Sequence, residues 1–357
     1  MSAGVGLDEL LDAARVEQLR RAGALVLDVD DTLLARERAR SPEGGLESVR
    51  GGEETFAESA AAALLPELLR RGFRVGLVTG HGWRQLESRL VAPIVERLRE
   101  MSGGSSDAAA TENVARLRVY ANRGATKIVY DGTRHKVEEA YGGQHQLRAA
   151  DIGQLRDLLE TLGAEFGAEV RARREWYEAA FPRFDFATLP ARVDEREGAV
   201  LVLRPIPAQR HAAAGVGSNP RAEVYERART LLRRAHLDGE YEIAESGRSS
   251  IEITRRGVLK EVAVRDLVAE ISGATGATGA EVEESLVYVG DEFDAGGNDA
   301  VIPRAFPRAL CLSVAPLGHD HGGRETRGGV LSLARMTKAE ATAATHALLA
   351  HLLNLSA

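Results

Sequence analysis

The chain has 357 residues, 44% of them hydrophobic and 28% charged, with a formal net charge of -7. That length suits two domains, or one large domain with an insertion, and the acidic balance gives no reason to expect nucleic-acid binding. No apolar stretch is long enough to cross a bilayer, residues 6–21 lack the apolar region of a signal peptide, and the single cysteine, Cys311, rules out an internal disulfide and suits a reducing cytoplasm.

Residues 6–21 read as a charged amphipathic helix. Ala24-Leu25-Val26-Leu27 is an aliphatic run short enough for one buried strand, and it stops at Asp28-Val29-Asp30-Asp31-Thr32-Leu33. Such runs suit a parallel strand covered on both faces. Residues 36–53 carry alternating arginines and two glycine pairs, which predicts a mobile loop beside that strand end. Residues 54–71 are a helix ended by Gly72, and 73–78 a second buried strand running into Thr79-Gly80-His81-Gly82. A helix follows over 83–101. Residues 103–113 read as a connection, then come short strands at 117–120 and 126–130.

From about residue 150 the pattern changes. Residues 151–174 are a long helix candidate, 200–203 a strand, and 219–235 a second helix with Asn219-Pro220 as its start signal. Tyr241-Glu242-Ile243 and Ser250-Ile251-Glu252-Ile253 alternate polar and apolar, as half-exposed antiparallel strands do. This αβαββ block differs from the βα alternation around it and reads as an inserted domain over 147–254, with 1–146 and 255–357 forming one discontinuous core. The alternation resumes with a helix over 258–271, a Gly/Ala/Thr loop, and a buried strand at 285–289. That strand runs into Gly290-Asp291-Glu292-Phe293-Asp294-Ala295-Gly296-Gly297-Asn298-Asp299. A strand at 309–313 and a helix over 337–353 close the chain.

Three apolar strands therefore end in polar clusters: Asp28 with Asp30, Thr79-Gly80, and Asp291 with Asp294 and Asp299. Each alone could be a solvated turn. A parallel sheet, however, gathers such ends at one crevice, where carboxylates from two strands can share a hard divalent cation such as Mg²⁺. That arrangement suits phosphoryl transfer. A carboxylate attacks phosphorus, a second carboxyl exchanges protons with the leaving alcohol and the attacking water, and a hydroxyl and an ammonium hold the remaining oxygens. Thr79 can supply the hydroxyl and Lys260, in Gly257-Val258-Leu259-Lys260, the ammonium.

Asp28-Val29-Asp30-Asp31-Thr32-Leu33, Val78-Thr79-Gly80, Lys260 and Gly290-Asp291 with Asn298-Asp299 resemble, in order, the four motifs of the haloacid dehalogenase (HAD) superfamily. The resemblance implies an α/β fold: a Rossmann-like parallel-sheet core carrying an inserted α+β cap of the C2 class. Asn122-Arg123-Gly124-Ala125 resembles the Asn-Gly-Ala turn before many such caps, with Arg123 added. Gly296-Gly297-Asn298-Asp299 and the segment 245–253 are most similar to the phosphomannomutase and sugar-phosphate phosphatase branch. Asp31 stands where that branch usually has glycine, and Asp294 is not expected in the fourth motif.

By this resemblance Asp28 is the nucleophile and Asp30 the general acid/base. Thr79, Gly80 and Lys260 bind the phosphoryl group. Asp28, the Asp30 carbonyl and Asp291 hold Mg²⁺, with Asp294, Asn298 and Asp299 as further ligands or support. Arg204, Arg210, Arg248 and Ser249 are the candidates for substrate contacts from the cap. The implied activity is that of a cytoplasmic Mg²⁺-dependent phosphatase acting on a small phosphorylated metabolite, a sugar phosphate; a hexose phosphomutase and a non-catalytic binding module are the alternatives. His81 can line the site but reads first as a loop histidine, Trp176 and Tyr177 can stack on a sugar but read first as packing within the inserted domain, and His319 and His321 flank Asp320 without a fourth metal partner.

Overall fold

The structure, a computed structural model, describes residues 13–34, 36–40, 46–53, 56–102, 107–131, 134–246, 249–293, 297–315, 330–333 and 341–355. The chain divides into two compact units, Met1–Glu138 with Leu259–Ala357, and Glu139–Val258. The second unit contains the helix Glu139–His145, which precedes the 147–254 block read from the sequence.

The first unit is built on an eight-stranded sheet. Its strands are β1 (Ala24–Asp28), β4 (Arg74–Val78), β5 (Leu117–Ala121), β6 (Thr126–Asp131), β7 (Arg134–Val137), β12 (Leu286–Gly290), β13 (Leu310–Ser313) and β14 (Val330–Ser332). They run in the order β14-β13-β12-β1-β4-β5-β6-β7. All pairings from β14 to β5 are parallel, and β6 and β7 add an antiparallel edge. The fully buried aliphatic runs of β1 and β12 are what a doubly covered parallel sheet requires.

On one face Leu25, Leu27, Val75, Leu77, Val287 and Val289 pack with the helices Ala61–Arg70, Ala92–Met101 and Ala341–Leu355. On the other lies the helix Lys260–Thr275. Gly76 pairs in register with Val26, and a Cβ there would stand 3.0 Å from Leu267 and 3.4 Å from Val26. The missing side chain lets this helix lie close to the sheet, which is how Lys260, its first residue, reaches the strand ends.

Where a loop is predicted over residues 36–53, the described residues form two paired strands: β2 (Arg36–Arg40) pairs antiparallel with β3 (Leu46–Glu53). Their sequence lacks an apolar run and carries Gly51-Gly52 within a strand, so the usual strand signals are missing. Asp107–Val114 is a helix where a connection is predicted. Its Ala108-Ala109-Ala110 run carries high helix propensity despite the glycines and serines before it.

In the second unit β8 (Arg192–Arg196), β9 (Val200–Arg204), β10 (Tyr241–Ser246) and β11 (Ser250–Arg255) form an antiparallel sheet ordered β10-β11-β9-β8. The helices Ala149–Ala172 and Pro220–Arg234 share a core with Leu201, Leu203, Ile251 and Ile253. The polar β8 is the strand that the αβαββ reading misses. Tyr177 is buried and donates to Glu169, whereas Trp176 is the exposed large side chain, stacked under Arg173. No helix among the described residues is long and apolar enough to cross a membrane.

Candidate active site

Asp28 closes β1, and Asp30 follows in a tight turn in which the Asp31 N–H donates to the Leu34 carbonyl at 2.9 Å. Asp31 takes φ 59°, the left-handed region that glycine enters freely and aspartate tolerates better than most residues. Both Asp28 and Asp30 are buried, as is Lys260.

Lys260 Nζ lies 2.9 Å from Asp28 Oδ1 and 2.8 Å from Asp299 Oδ1. Burial pulls the ammonium's pKa down, but the two carboxylates more than offset it and hold it above the ordinary lysine range. Asp28 is pushed well above the ordinary carboxylate range. Burial is the main cause, opposed by Lys260 and reinforced by Asp299, Asp291 and Asp30.

Asp299 has a different part from the other carboxylates. Its Oδ1 accepts from Lys260 and from the Tyr288 hydroxyl at 2.5 Å, and its Oδ2 from the backbone N–H groups of Asp291 at 3.1 Å and Glu292 at 3.0 Å. With four donors on two oxygens, it ties the loop after β12 to the Lys260 helix. A Cβ on Gly290 would collide with this carboxylate, so the close approach requires glycine there.

Asp28, Asp291 and Asp299 each place an oxygen within 4.8 Å of the others. Asp299 already accepts four hydrogen bonds, so Asp28 and Asp291 are the carboxylates of this trio that would hold a cation. In the same loop the buried Asn298 Oδ1 has no hydrogen-bond partner, an orphaned acceptor of the kind a cation or its bound water satisfies. An all-oxygen set with excess negative charge fits a hard divalent ion such as Mg²⁺.

Asp30 faces another group of side chains. Its Oδ2 lies 2.8 Å from His81 Nε2 and 3.4 Å from the Thr79 hydroxyl, and its Oδ1 lies 3.4 Å from Arg89 Nη1. Thr79 is buried at the end of β4, and its Oγ1 also accepts the His81 N–H at 3.0 Å. Asn122, Arg123 and Gly124 follow β5 with φ of 53°, 62° and 98°. The Asn122 N–H donates to the His81 carbonyl at 2.8 Å and that of Arg123 to the Thr79 carbonyl at 2.7 Å. The added Arg123 is therefore part of a left-handed turn that grips the Thr79–Gly80–His81 segment.

The structure thus brings together Asp28, Asp30, Thr79, Gly80, Lys260, Asp291, Asn298 and Asp299 at the β1, β4 and β12 ends. Sequence reasoning misses Arg89, buried in a π-helical turn at Glu87–Val91, and passes over His81 as a loop residue. The one signal present is the four-residue spacing of His81, Gln85 and Arg89. Among the cap candidates, Arg204 forms an ion pair with Asp194 at 2.6 Å, and the Ser249 carbonyl accepts the Ile206 N–H at 2.7 Å. Arg210 has its backbone in the turn Gln209–His211, with its side chain outside the described residues. Arg248, Asp294, His319, Asp320 and His321 also lie outside the described residues.

No protein-family model matches the chain, and no curated protein matches it by sequence. Solved structures do match. An IMP-bound variant of Plasmodium falciparum IMP-nucleotidase aligns over 94% of this chain and 70% of its own, at TM-score 0.52 and 12% identity. The N-terminally truncated form of that protein aligns over 94% and 72%, at TM-score 0.51 and 13% identity. The chain shares the fold of these structures. At these identities the likeness is one of fold. Aspergillus fumigatus trehalose-6-phosphate phosphatase also aligns, over 96% of this chain and 98% of its own, at TM-score 0.48 and 15% identity.

Proposed function

We propose that this protein is a Mg²⁺-dependent phosphomonoesterase that cleaves a small phosphorylated metabolite, a sugar phosphate, through an aspartyl-phosphate on Asp28. The observation that carries the reading is the separation of the two carboxylates of the first motif. Asp28 lies against the Lys260 ammonium, while Asp30 lies against His81 and Arg89. Two residues apart, they have different partners and so can take different parts.

Asp28 attacks phosphorus, the P–O bond to the alcohol breaks, and the alcohol oxygen takes the proton from the Asp30 carboxyl. Water then attacks the phosphorus of the Asp28 acyl phosphate and gives its proton to Asp30. The Asp28–phosphorus bond breaks, and inorganic phosphate leaves. Lys260 offsets the charge that builds on the phosphoryl oxygens, and the Thr79-Gly80 turn supplies hydrogen-bond donors to them. Asp28, the Asp30 carbonyl and Asp291 would hold the Mg²⁺, which when bound offsets the repulsion between Asp28 and the phosphoryl group.

The inserted unit has the role of a specificity cap in this reading, and the buried thiol of Cys311 suits a reducing cytoplasm. The name of the fold neighbour, IMP-nucleotidase, extends the candidate substrates to ribose phosphates of nucleotides. The test is release of inorganic phosphate, with Mg²⁺ present, from a panel of hexose, pentose and nucleoside monophosphates. Assay of isomerised sugar in the same samples separates a phosphatase from a phosphomutase. Turnover that survives Asp28→Asn would refute the reading.

A further inference from the structure

The face of the chain that follows β4 carries a polar row that the reaction above does not use. His81, Gln85 and Arg89 are spaced four residues apart, with His81 just ahead of the helix that carries Gln85. Gln85 sits in the helix Trp83–Leu86, and Arg89 in the π-helical turn Glu87–Val91. Such turns are frequent at functional sites. Here Arg89 is turned inward and is buried.

The distances rank the contacts to Asp30. Arg89 and Thr79, each at 3.4 Å, are at the outer limit of hydrogen bonding, whereas His81 Nε2 at 2.8 Å is at a good hydrogen-bond distance. His81 is itself fixed from behind. Its Nδ1 lies 2.7 Å from Gln85 Oε1 while its Nε2 faces Asp30. The Asn122 N–H holds the His81 carbonyl and Thr79 Oγ1 holds its N–H, so backbone and ring are both tied down.

We propose that His81, braced by Gln85, is the positioning residue that aims the Asp30 carboxyl at the leaving-group oxygen. The inference rests on the phosphatase reading and adds to it the group that sets the geometry of proton donation. His81 touches neither phosphorus nor the nucleophile in this scheme. It acts through Asp30, by fixing the plane of the carboxyl from the Oδ2 side. An alkyl leaving group needs that proton as the P–O bond breaks, whereas p-nitrophenolate is a stable anion that departs unaided.

The experiment uses the full chain with Mg²⁺, and measures kcat/KM on a hexose or nucleoside monophosphate that the wild type turns over and on p-nitrophenyl phosphate. The ratio kcat/KM reports the steps up to departure of the first product, before water attacks. His81→Ala is expected to lower it about 10- to 100-fold on the alkyl ester, part of what general acid catalysis supplies, and by less than about 3-fold on the aryl ester. Gln85→Leu, which leaves His81 in place, should give a smaller loss with the same skew. Gln85→Glu, which keeps an acceptor behind Nδ1, should restore the wild-type ratio.

Equal losses on the two esters in His81→Ala and Gln85→Leu would overturn the positioning role and leave the phosphatase reading standing, as would wild-type kinetics in both variants. Failure of the wild type on every ester, or turnover that survives Asp28→Asn, would instead remove the phosphatase reading and this inference with it.

Discussion

Replacing Lys260 by methionine tests the electrostatic account of the site directly. The ammonium lies 2.9 Å from one carboxylate and 2.8 Å from another, with all three groups buried. At an effective dielectric of about 20, each pair is worth about 5–6 kcal/mol of Coulomb attraction. Much of that is offset by the cost of taking the charges out of water. Methionine keeps the bulk but leaves Asp28 and Asp299 facing each other with no counter-ion, and breaking a buried pair in this way costs about 3–5 kcal/mol. Urea unfolding in EDTA should register that loss as a lower midpoint with an unchanged slope. Asp28→Asn alone removes a carboxylate that Asp291, Asp299 and Asp30 all repel, so it should cost little. The double variant, Lys260→Met with Asp28→Asn, should then be more stable than the sum of the two by about 1.5–3 kcal/mol. Additivity within about 0.5 kcal/mol, the margin for uncoupled sites, would refute the argument that Lys260 is the counter-ion of Asp28.

Mg²⁺ should stabilise the folded protein by about 2.7 kcal/mol at a hundred times its dissociation constant, and Asp291→Asn should lose most of that gain. A denaturation midpoint indifferent to millimolar Mg²⁺ would count against the metal site. Gly290→Ala should displace the Asp299 carboxylate and, through it, Lys260. A loss of about 1–3 kcal/mol, usual for overpacking, should accompany a severe drop in phosphate release; wild-type behaviour would show that Asp299 does not brace the site. Cys311 is fully buried, and burial pushes its thiol up to about 12. It should resist iodoacetamide in the native protein and react after unfolding, so rapid native labelling would contradict its placement in β13.

Where the sequence is legible, the reason is hydrophobic continuity. β1, β4 and β12 are buried aliphatic runs with no competing reading, and their ends carry the residues that matter. The elements that escape are those whose burial is one-sided or slight. β8 is Arg-Val-Asp-Glu-Arg, with no residue fully buried, so nothing in its composition separates it from a polar loop. β2 and β3 pair through backbone bonds between charged and glycine-rich segments, and backbone pairing leaves no mark on composition.

The site divides along a similar line. Asp28, Asp30, Thr79 and Lys260 are legible because each sits beside an apolar run whose end fixes its place. Asp299 can be located from sequence as a further ligand or as support, but the choice between the two depends on which donors reach it. Tyr288 precedes it by eleven residues and Lys260 by thirty-nine, and only the folded chain puts both on one oxygen. The same holds for Asp30 and His81, which are fifty-one residues apart and joined across adjacent strands. A motif names the carboxylates; the donors that reach each one determine what it can do. Asp28 faces an ammonium at 2.9 Å, Asp299 accepts four donors, and Asp30 has an imidazole at 2.8 Å. In the proposed reaction, three chemically identical side chains at neighbouring strand ends attack, brace and carry a proton because their neighbours differ.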